Sequence, residues 1–291
     1  MRDTVRRVER SSLFYRRLRN RIFMGLFVAC TLLAVIPLLI IFVHIVEQGL
    51  PALSWTFFTD APAPIGTPGG GIGNCIVGSL MLISMASIFA IPMGIFGGVY
   101  LSEFGSGNLA EVFRWTIDLM ASLPSIVVGL FVYAVIVAPL HSFSAVAGSA
   151  ALALLMIPIV VKTTEEVLRL LPMHVREAAL ALGVARWRVI LFIVLRGRLS
   201  AVMTGVALAL ARISGETAPL LITAFGNRNW PGSIMQPTAS LPVQIYNYAI
   251  SPFAEWQHQA WAGALTLVVL IFAMNALARL WLVQNDLKEN S

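Results

Sequence analysis

Residues 22–46 read IFMGLFVACTLLAVIPLLIIFVHIV, a run without Asp, Glu, Lys or Arg. A helix rises about 1.5 Å per residue, so about 20 apolar residues cross the roughly 30 Å hydrocarbon core of a bilayer. This run therefore predicts a membrane-spanning helix. The composition agrees, because 58% of the 291 residues are hydrophobic and 12% are charged, whereas soluble domains carry about 25% charged residues. The mean hydropathy is +0.83.

Apolar runs of similar character recur along the chain and predict an all-α polytopic membrane protein with six transmembrane helices. The fourth run is short and closely follows the third, which predicts a tight hairpin through His141 and Ser142. The predicted spans are residues 22–46, 74–101, 117–139, 145–161, 201–225 and 261–283.

Basic residues lie in alternate connections between these spans. Residues 1–21 contain eight, residues 102–116 one, residues 162–200 seven and residues 284–291 one, whereas the opposite connections, 47–73, 140–144 and 226–260, contain only Arg228. Positive residues favour the cytoplasmic side, so we expect both termini there, in a bacterial inner membrane. We expect the chain to consist of a cytoplasmic Arg-rich arm (1–21), the first transmembrane helix (22–46), a periplasmic loop (47–73), a membrane domain (74–283) and a cytoplasmic tail (284–291).

Several classes of function are excluded by the sequence. The clustered Arg residues fit membrane orientation better than a nucleic-acid surface, despite a net charge of +6. A phosphate-binding loop needs Gly-Lys followed by Ser or Thr, and neither Lys162 nor Lys288 meets that requirement. The four histidines lack the spacing of metal ligands. We therefore expect no ATP site, no metal and no cofactor in this chain.

Two charges stand in the fifth predicted span, Arg212 and Glu216. Arg212 lies roughly 17 Å from residue 201, near the bilayer midplane, where a charge must face protein or a water-filled cavity. The two are four residues apart on one helix face and can bond each other. They then either pin helices together, or Arg212 offers its planar fork to an oxyanion while Glu216 holds it aside or accepts a hydrogen bond.

Helix-breaking residues beside these charges favour a solute pathway. Gly215 and Pro219 loosen the fifth span, and Pro124 interrupts the third, next to Ser125. Irregular backbone at membrane depth is tolerated where it is buried in protein or lines a cavity. The candidate pathway residues are Arg212, Glu216, Thr217 and Ser125, with helix breaks at Gly215, Pro219 and Pro124.

The longest predicted cytoplasmic connection, residues 162–200, is expected to form two short helices, the second after Pro172. Apolar side chains recur there at helical spacing, at residues 180, 184, 187 and 191. Such a stripe needs a cover, either lipid headgroups or a partner protein.

Residues 177–183 read EAALALG, and Ile193 to Leu195 follow nine residues later. This pattern resembles the EAA loop of ABC importer permeases. The resemblance implies that Glu177, Ala178, Ala179 and Gly183 couple the permease to a separate ATPase. Arg196 stands where the pattern has proline, so we expect the helix to continue into the fifth span.

Residues 211–220, ARISGETAPL, resemble a signature of phosphate-importer permeases, as do residues 100–104, 123–131 and 251–257. That family has two paralogous permeases, one of them the PstC type. Residues 251–257 are more similar to the other paralogue than to the PstC type. The resemblance implies a type I (MetI-like) permease fold and transport of inorganic phosphate. The chain would be no enzyme, because the partner would bind ATP-Mg and hydrolyse the ATP.

The implied partners are a PstC-type permease, two copies of a PstB-type ATPase and a PstS-type periplasmic phosphate-binding protein. Import of another oxyanion, such as sulfate or molybdate, or of a different small solute is the alternative within transport. A structural or sensory membrane component is the alternative outside it.

Overall fold

The computed structural model describes residues 2–64 and 69–289, and these residues form helices and no strand. The predicted all-α fold is confirmed. The side chains of the predicted Arg-rich arm up to residue 14, and those of the predicted tail, lie outside the described part. The chain divides into two units, residues 1–48 and residues 49–291.

The first unit belongs to one long helix, which starts well before the predicted span. In chain order the helices are α1 (Arg2–Gly49), α2 (Trp55–Thr59), α3 (Gly73–Glu103), α4 (Asn108–Ser122), α5 (Ser125–Val132), α6 (Ala145–Arg169), α7 (Met173–Ala181), α8 (Leu199–Ser214), α9 (Ala218–Thr223), α10 (Leu241–Ala249) and α11 (Ala254–Glu289). Short helical turns lie at Leu50–Ala52, Ala138–Leu140, Arg186–Arg188 and Arg196–Arg198, and wider π-helical turns at Tyr133–Val137 and Val189–Leu195.

Among the described residues, five helices are long and apolar enough to cross a membrane. The third predicted span, residues 117–139, is not one straight helix, because α4 and the segment from Ser125 to Leu140 are bent by 103°. Pro124 has no N–H to continue the α4 ladder, and the backbone at Leu123 is extended. The bent pair connects opposite ends of α6, since Arg114 bonds Glu165 and the loop before Ala145 bonds Thr223. Counted as one span, the bent pair brings the candidate crossings among the described residues to six.

The three later predicted spans also differ from the structure, the sixth because α11 begins at Ala254 rather than at residue 261. The fourth is longer than residues 145–161, because α6 continues to Arg169. The fifth is not continuous over residues 201–225, because α8 ends at Ser214 and α9 begins at Ala218. Upstream of it, helical turns run without a gap from Arg186 into α8, so the helix passes Arg196 as expected.

The core of the second unit is the contact between α3 and α6. Small residues let the two backbones approach, because a Cβ on Gly94 would lie 2.6 Å from Val160 Cβ. Around this contact lie buried apolar side chains of α3, α6, α8 and α9, including Leu82, Leu152, Met156, Val206, Ile213 and Leu220.

Within the second unit, loops predicted to share a side of the membrane meet at the same end of the bundle. At one end, which we call the cap, residues 50–64 and 226–253 cover the starts of α3, α6 and α11. Asn74 bonds the backbone of Asn227 at 2.9 Å, and the Ala145 N–H bonds Gln236 at 3.1 Å. At the other, the basic end, Glu103, Glu165 and their Arg partners come together. Which end faces the cytoplasm stays a prediction.

Candidate functional site

Arg212 lies on an open face of α8. Residues 201, 204, 208, 212 and 215 are all exposed, at spacings of three and four, so they form one stripe along this helix. A charge on such a surface at membrane depth needs protein or water opposite it. The exposed face is therefore where a partner surface or a solute pathway is expected.

Arg212 and Glu216 do not form the bond that their spacing in one continuous helix would allow. The helix ends at Ser214, and the Gly215 and Glu216 N–H groups turn back to the carbonyls of Arg212 and Ile213, at 3.3 and 3.2 Å. Glu216 therefore leaves the helical face that carries Arg212. Neither side chain forms an ion pair with any described residue, so the pair does not neutralise itself.

The break in the fifth span packs directly against the third span. A Cβ on Gly129 of α5 would lie 2.6 Å from the Cα of Pro219, so only glycine lets the two backbones come this close. Pro219 is buried in the first turn of α9, a position that needs no backbone N–H. The predicted break residue Pro219 thus packs against the third span, at a position five residues after Pro124.

The remaining predicted pathway residues lie at these breaks. Thr217 precedes α9, and its hydroxyl makes a long contact of 3.5 Å with the Gly215 carbonyl. Ser125 is half-buried in the first turn of α5, and its hydroxyl makes no hydrogen bond with any described residue. Both hydroxyls remain able to bond a solute or water.

A cavity of about 650 Å³ lies beside the α8 stripe, between α6, α8 and α11. Its lining is mainly apolar, with a few polar side chains, among them Thr163, Glu166, Thr204 and Asn275. Ala211 belongs to this lining and Arg212 does not. The cavity therefore adjoins the charged position without enclosing it.

The predicted coupling residues lie on α7, which starts directly after Pro172 as expected. Gly183 has a φ of +79°, and its N–H bonds Leu180 while the Val184 N–H bonds Ala179. This arrangement is a Schellman motif, in which a left-handed glycine closes the helix. The spacing between Ala179 and Gly183 thus has a structural cause. Leu182 and Trp187 are exposed beside it, at 84% and 56%.

An ion pair that the sequence did not reveal holds α7 in place. Arg176 bonds Glu103 at the end of α3 at 2.8 Å, and the two side chains are only 13% and 8% exposed. The same guanidinium donates to the carbonyls of Leu171 and Leu168 at 2.7 and 2.9 Å. Glu103 lies in residues 100–104, one of the stretches that resemble phosphate-importer permeases. The resemblance therefore pointed to Glu103, but it did not identify Arg176 as its partner.

Known proteins resemble this chain both in sequence and in fold. A protein-family model described as "Binding-protein-dependent transport system inner membrane component" matches residues 90–282. A relative in Yersinia pestis, named phosphate transport system permease protein PstA, is 46% identical over 277 residues, 95% of this chain and 94% of that protein. The chain belongs to the PstA family of inner membrane transport components. The family match includes both helix breaks and α7.

Other PstA relatives cover similar shares of the chain. The protein of Haemophilus influenzae is 42% identical over 92% of this chain and 95% of its own length. A probable PstA of Methanocaldococcus jannaschii is 35% identical over 94% of this chain and 96% of its own length. Together with the long apolar helices, this membership makes the chain a multi-pass membrane protein.

Two solved ABC transporters share this chain's fold at low identity. The MetNI methionine transporter matches with a TM-score of 0.57 at 15% identity, over 72% of this chain and 91% of its own. A bacterial importer of the polysaccharide alginate matches with a TM-score of 0.56 at 15% identity, over 90% of this chain and 98% of its own. The predicted type I permease fold is confirmed.

Proposed function

We propose that this protein is the permease subunit of an ATP-driven importer of inorganic phosphate, and that it forms half of the translocation pathway. The observation that carries the proposal is the guanidinium of Arg212, which lies beside the break in the fifth span and forms no ion pair with any described residue. The names of the PstA relatives support phosphate as the substrate.

The chemistry of Arg212 suits a tetrahedral oxyanion. A guanidinium presents a planar fork of N–H donors that matches two oxygens of one anion, and it stays charged at every physiological pH. Glu216 lies near in sequence but unpaired, so it is free to accept a hydrogen bond from a protonated phosphate oxygen. The hydroxyls of Thr217 and Ser125 are further donors on the breaks.

The assembly we propose contains a PstC-type permease opposite the exposed face of α8. Two PstB-type ATPases would bind at the basic end, which we place in the cytoplasm with both termini, and a PstS-type protein would deliver phosphate to the cap. ATP-driven closure of the ATPase pair, transmitted through residues 177–183, would alternate access to Arg212. This chain itself needs no cofactor, because the partner binds ATP-Mg.

Uptake by the complete complex, reconstituted in vesicles with the binding protein, tests the substrate. We expect ATP-dependent accumulation of labelled phosphate that excess unlabelled phosphate suppresses. Sulfate and molybdate at the same concentration should leave it unchanged. Preferential accumulation of sulfate or molybdate would assign the chain to another oxyanion. A complex that accumulates no solute would favour a structural or sensory component.

Gly183 provides a separate test of coupling. Non-glycine residues pay roughly 1–2 kcal/mol in the left-handed conformation, and β-branched residues fit it worst. We expect Gly183→Val to reduce co-purification of the ATPase, or to leave hydrolysis running with uptake at least several-fold lower. Gly183→Asn is the matched control, because asparagine tolerates this conformation. Unchanged binding and coupling in Gly183→Val would remove the coupling role from this helix end.

A further inference from the structure

The cap contains a second cavity, of about 370 Å³, whose lining is more polar than that of the first. One water molecule occupies roughly 30 Å³ in the liquid, so the cavity has room for a hydrated ion. Leu221, in α9, and Phe225, two residues after the end of α9, form one wall. Leu221 follows Thr217 by four residues, a rise of roughly 6 Å along a helix, so the cavity begins close to the break at residues 215–217. The polar lining comes from Asn227, Arg228, Gln244, Asn247 and Tyr248.

The charge of the lining is positive. Arg228 is the single cation, no described lining residue is acidic, and its guanidinium makes no ion pair or side-chain hydrogen bond with any described residue. The carboxamides of Asn227, Gln244 and Asn247 add neutral N–H donors. An unpaired guanidinium among neutral donors is suited to an anion.

Tyr248 does not reverse this charge. The side chain is 2% exposed and packs on Trp256, with ring centroids 5.0 Å apart. Burial raises the pKa of the phenol above its ordinary value, and the Gln244 amide and Arg228 guanidinium only partly oppose the shift. The phenol therefore keeps its proton at neutral pH and adds no negative charge.

The loop that carries Arg228 is anchored by a buried side chain of α3. Asn74, which is fully buried at the start of α3, donates to the backbone carbonyls of Asn227, Arg228 and Asn229 at 2.9, 3.2 and 3.4 Å. One amide therefore holds the backbone of three successive residues, so the bundle fixes the backbone position of Arg228, whose side chain is exposed at the cavity.

We propose that this cavity is an outer anion site, in which a phosphate ion released at the cap binds Arg228 before it passes to Arg212. The site rests on the proposed function for the direction of movement, while its affinity for an oxyanion depends only on the residues described here. Arg228 is the one basic residue in the predicted outer connections, and in this proposal its function is to bind the anion.

Equilibrium binding of labelled inorganic phosphate to the complete complex in lipid nanodiscs, without the binding protein, tests the site directly. Every variant carries Arg212→Gln, so that Arg212 does not contribute to the phosphate binding that is measured. Any phosphate bound by a partner subunit is then the same in all variants. We expect Arg212→Gln to retain weak phosphate binding. Adding Arg228→Gln should weaken this binding about tenfold or more, as expected for lost hydrogen bonds to a charged group. Equal binding in the two variants would overturn the proposal.

A control variant that moves the positive charge distinguishes binding in the cavity from attraction by the surface charge. In the Arg212→Gln background, Arg228→Gln combined with Asn229→Lys keeps the net charge but moves it off the cavity lining. We expect this variant to bind phosphate as weakly as Arg228→Gln alone. Restored binding would mean that the surface field, and not the cavity, attracts the ion, and would overturn the site.

Transport measurements keep this inference distinct from the proposed function. Arg228→Gln alone should slow uptake several-fold, while ATP hydrolysis stimulated by the binding protein stays unchanged. Loss of that stimulation would instead make Arg228 a docking residue for the binding protein, and would overturn the anion site. If the unaltered complex neither imports nor binds phosphate, the proposed function itself fails, whatever Arg228 does.

Discussion

Replacing Arg212 with alanine is expected to abolish phosphate uptake, while the complex still assembles and still hydrolyses ATP. Two charge-assisted hydrogen bonds contribute roughly 1.5–3 kcal/mol each, so their loss lowers transport by roughly two to four orders of magnitude. Arg212→Lys keeps the charge but loses the planar fork, and we expect it to transport roughly tenfold more slowly than the unaltered protein. Initial rates of labelled phosphate uptake measure both effects.

Thr204→Ala is the matched control for Arg212. Thr204 lies on the same exposed stripe of α8, two turns away, and its hydroxyl bonds only the Ser200 carbonyl of its own helix. We expect normal uptake in this variant. Normal uptake in Arg212→Ala would exclude a direct role in phosphate binding, whereas failure of the complex to assemble would favour a structural role for this charge.

Glu103→Gln is expected to uncouple the transporter. It leaves the Arg176 guanidinium buried without its counter-charge, and removal of one partner from such a pair costs roughly 3–5 kcal/mol. The position of α7 relative to α3 depends on this bond, so ATP hydrolysis should continue while uptake falls about tenfold or more. The measurement is the number of phosphate ions imported per ATP hydrolysed. An unchanged ratio would show that α7 does not depend on Glu103.

Two further variants define the role of this pair. Glu166→Gln removes a carboxylate that is exposed and forms no ion pair with described residues, so the import ratio should stay normal. Exchanging the two charges, with Glu103→Arg and Arg176→Glu, should not rescue function. A carboxylate at position 176 would face the carbonyls of Leu168 and Leu171, and rescue by this exchange would contradict the proposed geometry.

The sequence predicted the membrane fold well because lipid imposes a simple rule of length and hydropathy on each span. It did not predict how the spans break. Pro124 marked the interruption, but the angle of 103° depends on packing between α5 and α9, which local sequence does not encode. A bond between Arg212 and Glu216 requires one continuous helix, and that helix ends two residues before Glu216.

Contacts between distant residues were likewise beyond the sequence. Glu103 and Arg176 lie 73 positions apart, and only the fold brings them together. Arg228 was recognisable as an isolated basic residue, but its cavity requires α9, α10 and the two connections of the cap to assemble. The helix-closing role of Gly183 was accessible in part, since glycine shortly after a helical pattern is a common stop signal.

The contact between Gly129 and Pro219 has a consequence for how this protein can evolve. A methyl group at position 129 would lie 2.6 Å from the Pro219 backbone, so it has no room unless α9 shifts. The two positions therefore form a single constraint on the sequence, although 89 other residues lie between them. A mutation at one is repaired most readily by a second mutation near the other, and a lineage can change this region only by changing both spans together.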